Sequence, residues 1–92
     1  MKTSGDATRF ESLIRDHPYG PRMFPTWIFE MQLDGLYANL SIGAPDADIV
    51  FSWDMPRDIT NAVFHDGLVS AVECYLVALR NQNIHHYDPP EA

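Results

Sequence analysis

The chain has 92 residues, a formal net charge of −7 with histidines neutral, and 46% hydrophobic side chains. That length gives a single domain spanning 1–92, and that apolar content excludes a solvated tail, because it is enough to offset chain entropy on folding. No apolar run approaches the roughly 18–20 residues of a membrane span, residues 1–10 lack a secretory apolar stretch, and the lone Cys74 forms no internal disulfide. A soluble cytoplasmic protein held together by packing is therefore expected.

The first predicted element is a helix over 6–16. Phe10, Leu13, Ile14 and His17 fall at i, i+3, i+4 and i+7, one face of a helix. Asp6 is the expected cap, its carboxylate accepting from free backbone N–H groups, and Pro18 ends the helix. Residues 1–5 and 86–92 are expected to be flexible tails. Segment 17–25 holds Pro18, Gly20, Pro21 and Pro25, which excludes helix interior and central strand and leaves an ordered loop or crossover.

After Pro25 the period changes to two. Trp27, Phe29, Met31 and Leu33 alternate with Thr26, Ile28, Glu30 and Gln32, which predicts a strand over 26–33 with one face buried. Asp34 and Gly35 then read as a two-residue type I′ turn, which pairs Leu33 with Leu36. A second strand over 36–42 follows with Leu36, Ala38, Leu40 and Ile42 inward. Gly43, Ala44, Pro45 and Asp46 form a turn cluster, and Ile49, Phe51, Trp53 and Met55 mark a third strand over 48–54. Short connections make these strands an antiparallel meander.

The inner face of that meander needs a cover, and residues 58–83 supply it. Ile59, Ala62, Val63, Val69, Val72, Leu76 and Leu79 make an apolar stripe that Phe64, Leu68, Ala71 and Tyr75 widen. Asp54, Pro56 and Asp58 offer capping and first-turn chemistry at its start. Gly67, near the middle, costs about 1 kcal/mol relative to Ala and so predicts a bend, a break or a close contact that only glycine permits. The fold class is α+β in the order α-β-β-β-α, an N-terminal helix, the meander and a long C-terminal helix packed on one sheet face.

Charge is unevenly placed along these elements. Residues 1–22 carry a net +1, and residues 23–92 carry Arg57 and Arg80 against ten carboxylates, a net −8. Nucleic-acid binders draw most of their affinity from Lys and Arg on phosphates, so this body disfavours direct nucleic-acid contact. The order helix, three strands, helix resembles the double-stranded RNA-binding fold. Basic residues are expected there at the head of the last helix, where this chain has Asp54, Met55, Pro56, Arg57 and Asp58. A protein partner with a basic surface matches the charge better; ordinary solubility is the plainer account of it.

Little in the sequence points to catalysis. His17, His65, His85 and His86 form no metal-ligand spacing, and an exposed tail explains the His85 and His86 pair beside Tyr87 and Asp88 more simply. Cys74 reads as a buried small hydrophobe, nine residues from His65 and beyond its reach on one helix. Asp46 with Asp48, and Asp54 with Asp58, read as turn and cap residues. No phosphate loop, nucleophile elbow or cofactor fingerprint appears, so neither catalytic residues nor a cofactor or metal is expected.

The surface is the remaining candidate. The outward sheet face would present Ile28, Glu30, Gln32, Tyr37, Asn39, Ser41, Val50, Ser52 and Asp54, with Tyr37 as anchor and Glu30 and Asp54 as charged rim. Asp46 and Asp48 add to its acidity. Tyr19, Met23 and Phe24, on the proline-stiffened loop, are large side chains suited to a partner pocket or to folding back on the core. The expected function is a non-enzymatic inhibitor or immunity-type protein, similar in general character to small anti-CRISPR proteins, that occupies a basic surface on a nucleic-acid-processing partner. An acidic binding chaperone or adaptor, able to act as a homodimer, is the alternative, and a small metal-binding protein or enzyme built on His65, Cys74, His85 and His86 is the third class.

Overall fold

A computed structural model describes residues 2–82, with side chains from Ala7 onward. Its elements are α1 (Lys2–Arg15), β1 (Ile28–Asp34), β2 (Tyr37–Gly43), β3 (Val50–Pro56) and α2 (Asn61–Asn81). The strands form one antiparallel sheet in the order β1-β2-β3, so β2 is central and both neighbours are edges. The α-β-β-β-α order and the α+β class agree with the alternation and stripe patterns of the sequence.

Period-two alternation places most of the large apolar strand residues on one face, Ile28, Tyr37 and Val50 excepted. Three cross-strand rows line it: Phe29 with Ile42 and Phe51, Met31 with Leu40 and Trp53, and Leu33 with Ala38 and Met55. The central strand is sealed, with Ala38, Leu40 and Ile42 buried, whereas β1 keeps Phe29, Met31 and Leu33 half-buried. Burying a side chain such as Leu40 or Ile42 contributes about 1.5–3 kcal/mol.

The hairpin register differs from the expected one. Asp34 pairs with Tyr37 and Leu33 with Ala38, so the loop is Gly35 and Leu36 rather than Asp34 and Gly35. Gly35 has φ +63° and Leu36 is not among the residues with positive φ. These signs belong to a type II′ turn, which takes glycine at its first central position. Leu36, expected inward, stands 81% exposed at the tip. The strands accordingly end one or two residues later than predicted.

Both helices pack on the inner face. Helix α1 presents Phe10, Ile14 and, just past its end, His17, all buried, as the i, i+4, i+7 spacing predicts. It begins at Lys2, so residues 2–5, expected as tail, are helical, and Asp6 lies inside the helix rather than at its cap. The expected tail 86–92 lies outside the described residues. Arg9 reaches from α1 to the entrance of α2, donating to the carbonyls of Ile59 at 2.9 Å and Arg57 at 3.0 Å and to Asn61 Oδ1 at 2.8 Å.

Helix α2 is capped by Thr60, whose hydroxyl accepts from the Val63 N–H at 3.2 Å; none of the three residues proposed from sequence performs this role. Its buried stripe is Phe64, Leu68, Ala71, Val72, Tyr75, Leu76 and Leu79, and Ala62 and Val63 face out, with Val63 58% exposed. Val72, Leu76 and Leu79 of the expected stripe are thus buried, as are the four residues expected to widen it. The helix runs unbroken through Gly67, where a Cβ would stand 2.4 Å from Trp53 Cη2. Of the outcomes predicted for this glycine, the close contact is the one observed. At 21 residues, with an 18-residue stretch of mean hydropathy 1.5, α2 also has the length and composition of a membrane-crossing helix. A search for an uninterrupted apolar run passes over it because His65, Asp66, Ser70 and Glu73 punctuate the outward side.

The 17–25 segment is an ordered chain of turns. His17 N–H donates to Ile14, Gly20 N–H to His17, Met23 and Phe24 N–H to Gly20, and Trp27 N–H to Phe24. It folds back on the core: Phe24 stacks on Trp27 with ring centroids 3.9 Å apart, and Trp27 meets Tyr75 edge-on at 5.2 Å.

Candidate functional site

No described residue covers the sheet's outer face, since both helices occupy the other side. The register sets its side chains in rows: Ile28, Gly43 and Val50; Glu30, Ser41 and Ser52; Gln32, Asn39 and Asp54; Asp34, Tyr37 and Pro56. Neighbours within such a row stand about 4.5–5.5 Å apart. Glu30, Asp34 and Asp54 contribute three carboxylates, and the three strands contain no Lys or Arg.

Asn39 organises the middle of this face. Its amide Nδ2 donates to Asp54 Oδ1 and to Ser52 Oγ, each at 2.8 Å. The carboxylate of Asp54 is therefore held in one orientation before any partner arrives, which removes part of the ordering cost of binding. Tyr37, 63% exposed, flanks a shallow depression of about 420 Å³ that Gln32, Asp34, Asn39 and Asp54 also line. An exposed tyrosine beside a fixed carboxylate is a common anchor and rim combination. Arg57 lies at the end of the face, where its guanidinium donates to the Gly35 carbonyl at 2.8 Å and so braces the hairpin tip.

The seven candidate residues fall into three places. Glu30, Tyr37 and Asp54 share the outer face as predicted from alternation. Asp46 and Asp48 lie exposed on the β2–β3 loop at the opposite end of the sheet, Asp46 with φ +62°. That loop is held from beneath by Tyr75, whose hydroxyl donates to the Ile49 carbonyl at 2.6 Å and accepts from the Ala44 N–H at 3.0 Å. Tyr19 and Phe24 belong to the helical side. Tyr19 is half-buried, and Phe24, 5% exposed, is a core residue with little surface for a partner. Asp34 and Asn39 complete the face: Asn39 was visible in the alternation without its role, and Asp34 was assigned to the turn.

Of the metal and enzyme class, the two described residues, His65 and Cys74, do not converge. Cys74 is exposed rather than buried, on the outward side of α2 with Ser70, Glu73 and Val77. It lies one residue before the buried Tyr75, and a step of one residue turns a helix by about 100°, which carries its side chain off the core stripe. His65 instead meets His17: the ring centroids are 4.1 Å apart, and His17 Nε2 donates to the His65 carbonyl at 2.9 Å while Nδ1 accepts from the Tyr19 N–H. This contact, between residues 48 positions apart, has no local signal in the sequence. Burial holds the His17 imidazole below its ordinary pKa, against the bond to the His65 carbonyl and with a smaller contribution from the neighbouring His65 ring. Among the described residues no group of three or more His, Cys, Asp or Glu is placed to hold a metal; His85 and His86 lie outside them.

Comparison with protein-family models, curated proteins and solved structures returned no match.

Proposed function

We infer that this domain is a non-enzymatic protein-binding protein, an inhibitor or immunity-type protein whose outer sheet face occupies a basic surface of a nucleic-acid-processing partner. The observation that carries this reading is the acidic open face: Asp34 and Asp54 beside the exposed Tyr37, and Glu30 two rows away, with no cationic side chain on the three strands. Such a field speeds encounter with a cationic patch and disfavours nucleic acid itself. The head of α2, which in an RNA-binding relative of this topology would carry cations, is here Thr60, Asn61, Ala62 and Val63.

The test is affinity capture from host extract with the native chain and with a Glu30→Lys, Asp34→Lys, Asp54→Lys variant, at low and raised salt. The reading expects a protein held by the native chain at low salt, released by raised salt or by added DNA or RNA, and not held by the variant. Equal retention by the variant, or retention indifferent to salt, would sink it.

A further inference from the structure

We propose that a second copy of this chain pairs with the free edge of β1, joining two sheets into one of six strands. The hairpin settles which backbone groups that edge offers. A two-residue loop closes on a hydrogen-bonded pair, here Asp34 with Tyr37, and bonded pairs alternate, so Gln32, Glu30 and Ile28 also bond toward β2. The Arg57 N–H bond to the Leu36 carbonyl fits the same phase, with the even residues of β2 bonding to β3. The N–H and C=O groups of Phe29, Met31 and Leu33 therefore point away from the sheet, and no described residue pairs with them.

Natural edge strands are usually blunted by proline, lysine, a bulge or a covering segment. Strand β1 is seven residues in unbroken register and contains neither Pro nor Lys. Beside it runs a groove of about 640 Å³ between α1 and the edge, walled by Ala7, Ile14, Trp27, Phe29, Met31 and Leu33. The half-buried inner residues of β1 are those a neighbouring strand would cover.

Avoidance of like charges selects the register for a second copy. Outward-pointing groups must meet outward-pointing groups, which leaves three antiparallel registers with substantial overlap. Centring on Met31 opposite Met31 of the second copy sets Phe29 against Leu33 and Glu30 against Gln32, with no like charges opposed. Shifting one way opposes Glu30 to Glu30, and shifting the other way opposes Glu30 to Asp34; like charges directly opposite are destabilising. On the helix side of the groove, Glu11 and Arg15 give two antiparallel copies of α1 opposite charges to share. One register thus lets the strand pair with a second copy of itself without directly opposed like charges, in the self-matching way that a two-fold interface requires.

The proposal rests on the edge and needs no partner protein, so it stands or falls apart from the reading of the outer face. Sedimentation equilibrium over a concentration series reads it. The native chain should show a monomer–dimer equilibrium. Gln32→Lys, which places a cation opposite Glu30 twice per dimer, should tighten it, and Gln32→Glu should weaken it, each by about two- to thirtyfold. Both changes sit on the exposed outer face and spare the core. Met31→Pro removes an N–H that β2 does not use and should give a folded monomer by circular dichroism. A monomer at every concentration overturns the proposal, as does a dimer that responds to the two Gln32 variants in the same direction.

Discussion

The indole of Trp53 lies over the backbone of Gly67, in the space that a Cβ at position 67 would fill: an ideal one would stand 2.4 Å from Cη2 and 2.6 Å from Cζ2. The ring is fixed there because its other neighbour is Phe64, stacked at 5.4 Å with an interplanar angle of 14°. Strand β3 and helix α2 thus dock through the absence of one methyl group.

Gly67→Ala should therefore destabilise the protein although alanine is the better helix former. The gain in helix propensity is about 1 kcal/mol, whereas forcing extra volume into a packed site costs typically about 1–3 kcal/mol. Urea denaturation should show a lower midpoint for Gly67→Ala. In a Trp53→Phe background the same change should cost less, and additive effects in that cycle would show that the indole is not the obstacle.

The hairpin tip yields a pair of opposite expectations. Gly35→Ala puts a side chain at φ +63° and should cost about 1–2 kcal/mol. Leu36→Ser, at a position 81% exposed, should stay within about 0.5 kcal/mol of the parent. If Leu36 belonged to the inner face, its loss would instead cost as much as a core truncation, so a large drop for Leu36→Ser by chemical denaturation would refute the observed register.

That register also shows where sequence reading stops. Pairing Leu33 with Leu36 and pairing Leu33 with Ala38 differ by two residues along β2, and a slip of two leaves every side chain on the same face. Alternation assigned Phe29, Met31, Leu33, Leu40 and Ile42 inward and Glu30, Tyr37 and Asp54 outward under either pairing, which is why the outer face was legible. It could not choose the loop, because one positive-φ glycine serves both turn types. The α2 stripe overreaches at its start for a related reason: Ala62 and Val63 are apolar enough to extend a stripe on paper but face out, whereas Val72, Leu76 and Leu79 are buried as expected. Cys74 reads inward from its place beside the apolar run 69–79, yet it is exposed. The His17 and His65 contact was out of reach altogether, since it depends on two distant elements packing together.

Acid should weaken the fold through His17. Its folded-state pKa is lowered by burial, so below about 6.5, the ordinary histidine value, the unfolded chain binds a proton that the folded chain resists. More protons on the unfolded state mean that stability rises with pH, and this contribution is lost as pH falls through 6.5 toward the folded pKa. Denaturation midpoints measured from about pH 7.5 down to 5 should fall in the native chain. His17→Asn, which keeps an acceptor for the Tyr19 N–H without titrating, should show a shallower decline. An unchanged slope would assign the effect to other groups.

Tyr75→Phe removes one oxygen and leaves two backbone groups, the Ile49 carbonyl and the Ala44 N–H, without their partner. Tyr75 and Ala44 are both buried, so the expected cost is about 1–3 kcal/mol. Amide exchange at Ala44 should accelerate while exchange in the middle of β2 changes little. Protection at Ala44 equal to the native level would show that the hydroxyl does not hold the loop that carries Asp46 and Asp48.

Arg9 sets an order on biosynthesis. The three acceptors of its guanidinium belong to residues 57, 59 and 61, all at least 48 positions downstream, so a nascent chain exposes α1 long before these acceptors can hold it in place. Contacts of such span are closed late because loop entropy must be overcome first. A chain halted before Asn61 emerges would lack Phe64, the ring on which Phe10 packs, and would carry that side of its first helix open to solvent until α2 is made.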